Sequence, residues 1–313
     1  MRRFIEADSF PLLFIPMPRT FIAIPLGLMG VIIFGATLPM TRLAVQELDW
    51  AFLTAGRAVI AGLIALSILI AFRRSFPWPD IRILSAIGLM LVFGWPVLTA
   101  IAMQTVPASH GGIITGILPL ATVAASVFVN GERPSPLFWL FSVMGAGVVI
   151  LFAIEDGTGG FVIGDVLLLF GVAAAGIGYA LSGRMSAKLP GWEVICWALV
   201  LTLPVSVVWL LFTLGDVNWN ASAAAWSGFA YVSTMSQLFG FFFWNKALAM
   251  GGTARIGQLM LFITFVTIII SAVILRETIA PDMWGYAAVV AILVGLGQRA
   301  RITQKQSHTA QEN

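Results

Sequence analysis

The chain of 313 residues is 59 % hydrophobic and 10 % charged, with a mean hydropathy of +0.98; a soluble domain carries about 25 % charged residues. That balance excludes a water-soluble enzyme and makes lipid the solvent. The net charge of +3 comes from basic residues scattered in short loops, which gives nucleic acid no patch to bind, and a lone Cys196 excludes an intramolecular disulfide.

In chain order, residues 1–20 hold Arg2, Arg3 and Arg19 among several prolines, without a small-residue cleavage site. They read as a cytoplasmic segment and not as a signal peptide. A helix needs about 20 apolar residues to cross hydrocarbon. Ten runs meet that need, at roughly 21–45, 50–72, 81–103, 108–129, 136–155, 161–185, 190–213, 224–248, 253–275 and 281–298, before a polar cytoplasmic tail at 300–313. The runs are continuous, so helices are expected and not a barrel. With the amino terminus inside, 14 of the 17 Lys and Arg fall in inner loops, which predicts that both termini are cytoplasmic.

The stretch "VNGERPSPLFW" at 129–139 returns as "ILRETIAPDMW" at 274–284. At a constant offset of 145, Thr122 meets Thr267, Ser126 meets Ser271, Glu132 meets Glu277, Pro136 meets Pro281 and Trp139 meets Trp284. Residues 21–155 and 161–299 thus form two repeats of five spans, and an odd number makes the second enter the membrane in the opposite sense. The expected fold is an all-α integral membrane protein, ten transmembrane helices in two inverted five-helix repeats. Such halves suit alternating access to a shared site.

Candidate site residues follow along the spans. In "FGATLPMTR" of the first, Pro39 and Thr37 break the helix beside a cavity. Arg57 in "FLTAGRAVIAG" lies about two turns inside the second span. It either holds a solute carboxylate or phosphate, or snorkels to Glu47 and Asp49. In "FGWPVLTAIAMQ", Pro96 frees a backbone carbonyl one turn earlier, beside Trp95 and Thr99. Small residues in the sixth span (Gly171, Ala175, Gly178 and Ser182) allow close packing, and Tyr179 reaches the cavity. From "QLFGFFFWNKAL" in the eighth, Gln237, Phe243 and Trp244 line the cavity or face lipid, as Phe239 does. Thr115 and Gln258 follow the starts of the fourth and ninth spans. Glu132 and Glu277 either support helix caps beside Gly131, Ser135 and Pro136, or act as inner and outer gates paired with Arg133 and Arg276. His110 is interfacial or, with Asp165 nearby at the start of the sixth span, the remaining titrating group.

"TVPASHGGIITGILPLATVAASVFVNGERPSPLFW" resembles the fourth and fifth spans of the EamA-type carriers of the drug/metabolite transporter superfamily, and "NKALAMGGTARIGQLMLFITFVTIIISAVILRETIAPDMW" resembles their ninth and tenth. The resemblance covers about 21–298. It implies a bacterial inner-membrane exporter of amino acids or other small metabolites, with sugar and nucleotide-sugar carriers as relatives. The Glu-Pro pair frequent in such carriers is replaced by Leu118 and Pro119, then by Ile263 and Thr264. Facilitated movement is therefore expected over tight proton coupling. No cofactor or metal is implied.

A membrane-embedded enzyme lacks its parts here: there is no H-E-x-x-H, no G-x-S-x-G and no cysteine pair. A lipid-handling or structural membrane protein remains the alternative class. A nucleotide-sugar carrier would need more cavity cations than Arg57.

Overall fold

In a membrane each helix satisfies its own backbone, so bends appear where a proline or a widened turn releases a carbonyl. The computed structural model describes residues 19–131, 133–155, 162–251 and 256–311, the side chains at 19–21, 251, 258 and 301–311 excepted. All regular elements among the described residues are helical. Helices α1 (Arg19–Gly35) and α2 (Thr37–Val45) make the first long apolar helix, Ile22–Val45. Asp49 then accepts from the Ala51 and Phe52 N–H groups and starts α3 (Trp50–Ala71). Next, α4 (Ile81–Gly88), a π turn (Leu89–Gly94) and α5 (Trp95–Ala102) run in series. Helices α6 (Ala108–Thr115) and α7 (Leu118–Asn130) meet at 41°, just ahead of Pro119.

Three long helices follow, α8 (Pro136–Glu155), α9 (Ile163–Met185) and α10 (Gly191–Thr213). A continuous helical run then joins α11 (Ala223–Tyr231), a second π turn (Val232–Phe239) and α12 (Gly240–Gly251). A 3₁₀ stretch (Gly257–Phe262) leads into α13 (Ile263–Ile270), a π turn (Ser271–Leu275) and finally α14 (Pro281–Gln311).

Among the described residues seven helices are long and apolar enough to cross a membrane, or eight if the bent α6–α7 pair is one span. The chain is a multi-pass membrane protein. Leu259–Leu275 is apolar but shorter, and the run through α11 and α12 falls outside the seven. Ser233, Ser236 and Gln237 lower the apolarity of that run, and all three are buried. These three polar residues of the segment are turned inward. Outward faces are apolar instead: Phe128 is 88 % and Phe212 81 % exposed, as lipid-facing side chains are.

The register of the sequence repeat reappears in local structure. Moving 89–94 by 145 gives 234–239, inside the second π turn. Gly131 ends α7 at φ 67°, and Arg276, its counterpart at the same offset, ends the 271–275 turn at φ 55°. Ser135 Oγ accepts from Phe138 N–H at 3.2 Å, so the cap expected at the start of α8 forms. Half-exposed Trp139 and Trp284 lie near the starts of α8 and α14.

Four pairings dominate the packing: α3 on α10, α1 on α12, α7 on α9 and α8 on α14. The small-residue face of α9 explains how it fits. A Cβ at Gly176 would stand 2.9 Å from the Ala121 carbonyl carbon, so only glycine permits this approach of α9 to α7.

Candidate functional site

Two proline-linked irregularities build the centre. In the first π turn Trp95 N–H bonds back to Met90 O rather than to Leu91 O. Leu91 O, thus released, accepts from Gln237 Nε2 at 3.3 Å. That bond orients the amide so that Gln237 Oε1 accepts from Arg57 Nε at 2.6 Å. On the facing side, Pro39 has no N–H to offer Gly35 O, and the Thr267 hydroxyl donates to that carbonyl at 2.8 Å. Each released carbonyl recruits a side chain from a distant helix.

Arg57 Nη2 donates to Ser236 Oγ at 3.2 Å, and Ser236 shares a 2.8 Å hydrogen bond with Thr37 Oγ1. Arg57 is only 3 % exposed, and its Nη1 is buried with no hydrogen-bond partner. Its partners are neutral. The expected alternative of an interfacial pair does not form, because Asp49 caps α3 and Glu47 binds Ser222 through both its N–H and its hydroxyl. Those bonds to Ser222 hold the Glu47 carboxyl below the usual carboxylate range.

A pocket of about 40 Å³ opens at this network, room for a few water molecules. Thr37, Arg57, Trp95, Thr115, Tyr179 and Gln237 line it together with Phe34, Leu38, Leu91, Leu118, Ser236, Phe241, Ile263 and Thr267. Six residues singled out in the sequence are therefore brought together from distant parts of the chain. Others are not. Thr99 turns its hydroxyl back to Trp95 O at 2.8 Å, as hydroxyls inside helices do. Trp244 packs against Gly30 of α1, and Phe243 is absent from the lining. Pro39, Pro96 and Pro119 stand at or beside the bends. Glu132 and the side chain of Gln258 lie outside the described residues.

Ser236, Thr267, Phe34 and Phe241 were missed. Thr267 had a signal, its repeat match to Thr122, and Ser236 neighbours Gln237. The two phenylalanines had none among so many.

Glu277 ties the end of the 271–275 turn to the start of α6. Its carboxylate accepts from Ala108 N, Ser109 N and Ser109 Oγ at 2.8, 2.9 and 2.6 Å. It also lies 3.5 Å from Arg42 Nε, while Arg42 Nη1 donates to the carbonyls of Met103 and Val106. The ionic partner is therefore Arg42 and not the adjacent Arg276, which forms the left-handed helix end. One residue on, His110 and Asp165 form a 2.8 Å pair, both fully buried, with Asp165 Oδ2 accepting from Val162 N–H. This pair joins α6 to α9. Lys188 with Asp80, and Arg74 with Glu193 at 3.1 Å, make further ion pairs.

A helical membrane protein with a buried cation facing a small pocket, and ion pairs outside that lining, has features that suit a carrier. The EamA-like transporter family model matches residues 21–154 and again 162–297, and the chain belongs to that family. Membrane transport of small molecules is the activity that follows. The chain is 40 % identical over 281 residues to the uncharacterized transporter YdeK of Bacillus subtilis (strain 168), covering 89 % of this chain and 96 % of the relative. It is 26 % identical over 262 residues to the uncharacterized transporter YetK of the same organism, covering 78 % and 77 %. A solved protein crystal structure shares its fold at a TM-score of 0.60 and 20 % identity, over 91 % of this chain and 98 % of that one.

Proposed function

We propose that the chain is an alternating-access carrier for small organic metabolites bearing a carboxylate, amino acids and related compounds among them, and that it works as an exporter in a bacterial inner membrane. In this reading ten spans form two inverted repeats, 21–155 and 161–299, with both termini cytoplasmic. The observation that carries the solute site is Arg57: a buried guanidinium with one unpartnered nitrogen beside a pocket. An unpaired buried charge costs several kcal/mol, and an incoming carboxylate removes that cost.

Thr37, Ser236 and Gln237 orient the guanidinium, while Trp95, Tyr179 and Phe241 contact the solute body. The pocket is narrow in this conformation, and in this reading a metabolite enters as the halves part. Glu277 and Arg42 hold the outer end shut. Export and membrane assignment follow the family resemblance.

The test is counterflow in proteoliposomes loaded with a panel of unlabelled carboxylates, following entry of labelled tracer. Saturable exchange by the wild type, strongly weakened in folded Arg57→Gln, is the expected result. Equal half-saturation in the two proteins removes Arg57 from the site. Absence of exchange across the panel favours the lipid-handling or structural class.

A further inference from the structure

Among the described residues, Arg57 is the only charged one of the pocket lining, and none of them there is a carboxylate. The hydroxyls of Thr and Ser and the amide of Gln in the lining are already engaged, which leaves the neutral Tyr179 hydroxyl and Trp95 indole N–H. Thr37 and Ser236 bond each other, Thr267 donates to Gly35 O, Thr115 to Gly112 O, and both ends of the Gln237 amide are used. Carboxylates elsewhere are tied to other groups: Asp165 to His110, Glu277 to the start of α6, Glu193 to Arg74 and Asp80 to Lys188. The described lining thus presents a cation with a free nitrogen and no anionic counterpart for an ammonium.

The geometry points to a carrier that selects solutes of net single negative charge, whose amino group is absent or acylated, over the free zwitterionic amino acid of the same skeleton. Hydroxy acids, oxo acids and N-acylated amino acids with an apolar or aromatic body form that class. The physical reason is desolvation: an ammonium entering this lining exchanges water for a few neutral hydroxyls with no carboxylate among them, and Arg57 repels it. Phe34, Trp95 and Phe241 offer the body an apolar surface. The inference rests on the reading of Arg57 as the solute-facing group.

The experiment is proteoliposome exchange by the full chain at pH 7.5 with three probes sharing one skeleton, namely phenyllactate, phenylalanine and phenethylamine, with leak subtracted using protein-free liposomes. Phenyllactate is expected to exchange with a half-saturation at least about tenfold below that of phenylalanine, a factor worth about 1.4 kcal/mol, and phenethylamine not to exchange. In folded Arg57→Gln the preference falls to about unity. Should that variant not fold, Gln237→Glu supplies the missing carboxylate and is expected to shift preference toward phenylalanine. Saturable exchange in which phenylalanine equals or exceeds phenyllactate overturns the inference and leaves the carrier standing. No saturable exchange by any of the three overturns the carrier reading, and the inference with it.

Discussion

Gln237→Glu separates a structural from a functional role for Arg57. The substitution keeps size and puts a carboxylate where the amide oxygen stands 2.6 Å from Arg57 Nε. Turning a charge-to-amide bond into an ion pair gains about 1–2 kcal/mol after desolvation of the new carboxylate. It also removes the Nε2 donor that reaches Leu91 O at 3.3 Å, which costs about 1–3 kcal/mol for an orphaned buried carbonyl. The two terms offset, so the melting temperature in detergent should move little. Solute binding should not be spared. A carboxylate meeting a guanidinium that already has its counter-ion loses about 3 kcal/mol, or about 100-fold in affinity. The assay pairs thermal melting with the half-saturation of counterflow. A normally folded variant whose half-saturation stays within about threefold of wild type would refute the reasoning.

Three further outcomes are expected. Glu277→Gln removes the charge facing Arg42 and weakens the hold on the start of α6 by about 1–2 kcal/mol, shifting the carrier toward its outward-open form about 5- to 30-fold; external labelling of a pocket cysteine reads this. Thr267→Val leaves Gly35 O unpaired and should destabilise by about 1–3 kcal/mol. In a Pro39→Ala background, where a backbone N–H is restored, the loss should shrink, and denaturation of the four proteins in a double-mutant cycle measures the coupling. His110→Leu leaves Asp165 Oδ1 without its His110 partner at a fully buried position and should cost about 1–3 kcal/mol, while Asp165 Oδ2 still accepts from Val162 N–H; thermal melting of the variant against wild type decides it.

Much of this site is written in residue types that are out of place in lipid. Arg57, Pro39, Pro96 and Gln237 each break a local rule of a membrane helix, and each stands at or beside the pocket. What could not be read was the direction of a side chain within its helix. Thr99 is as polar as Thr115 and both back-bond to their own turns, yet only Thr115 lines the pocket. Trp244 belongs to a conspicuous aromatic run, yet the contact of α12 with α1 turns it against Gly30. Glu277 was legible as a charge at a helix boundary. Its partner was not, because Arg42 is distant in sequence while Arg276 is adjacent. The π turns left no period in the sequence, although they release the carbonyl on which Gln237 depends.

Alternating access requires the Arg57 pocket to be reached in turn from the two faces of the membrane. It is tested by a single cysteine at Thr115 in a Cys196→Ser background, labelled by a membrane-impermeant reagent from each side of oriented vesicles, with and without an exchanged solute. Labelling is expected from both sides, slowed by the solute and biased outward by Glu277→Gln. Labelling from one side only while exchange proceeds, or rates that the solute leaves unchanged, would contradict it.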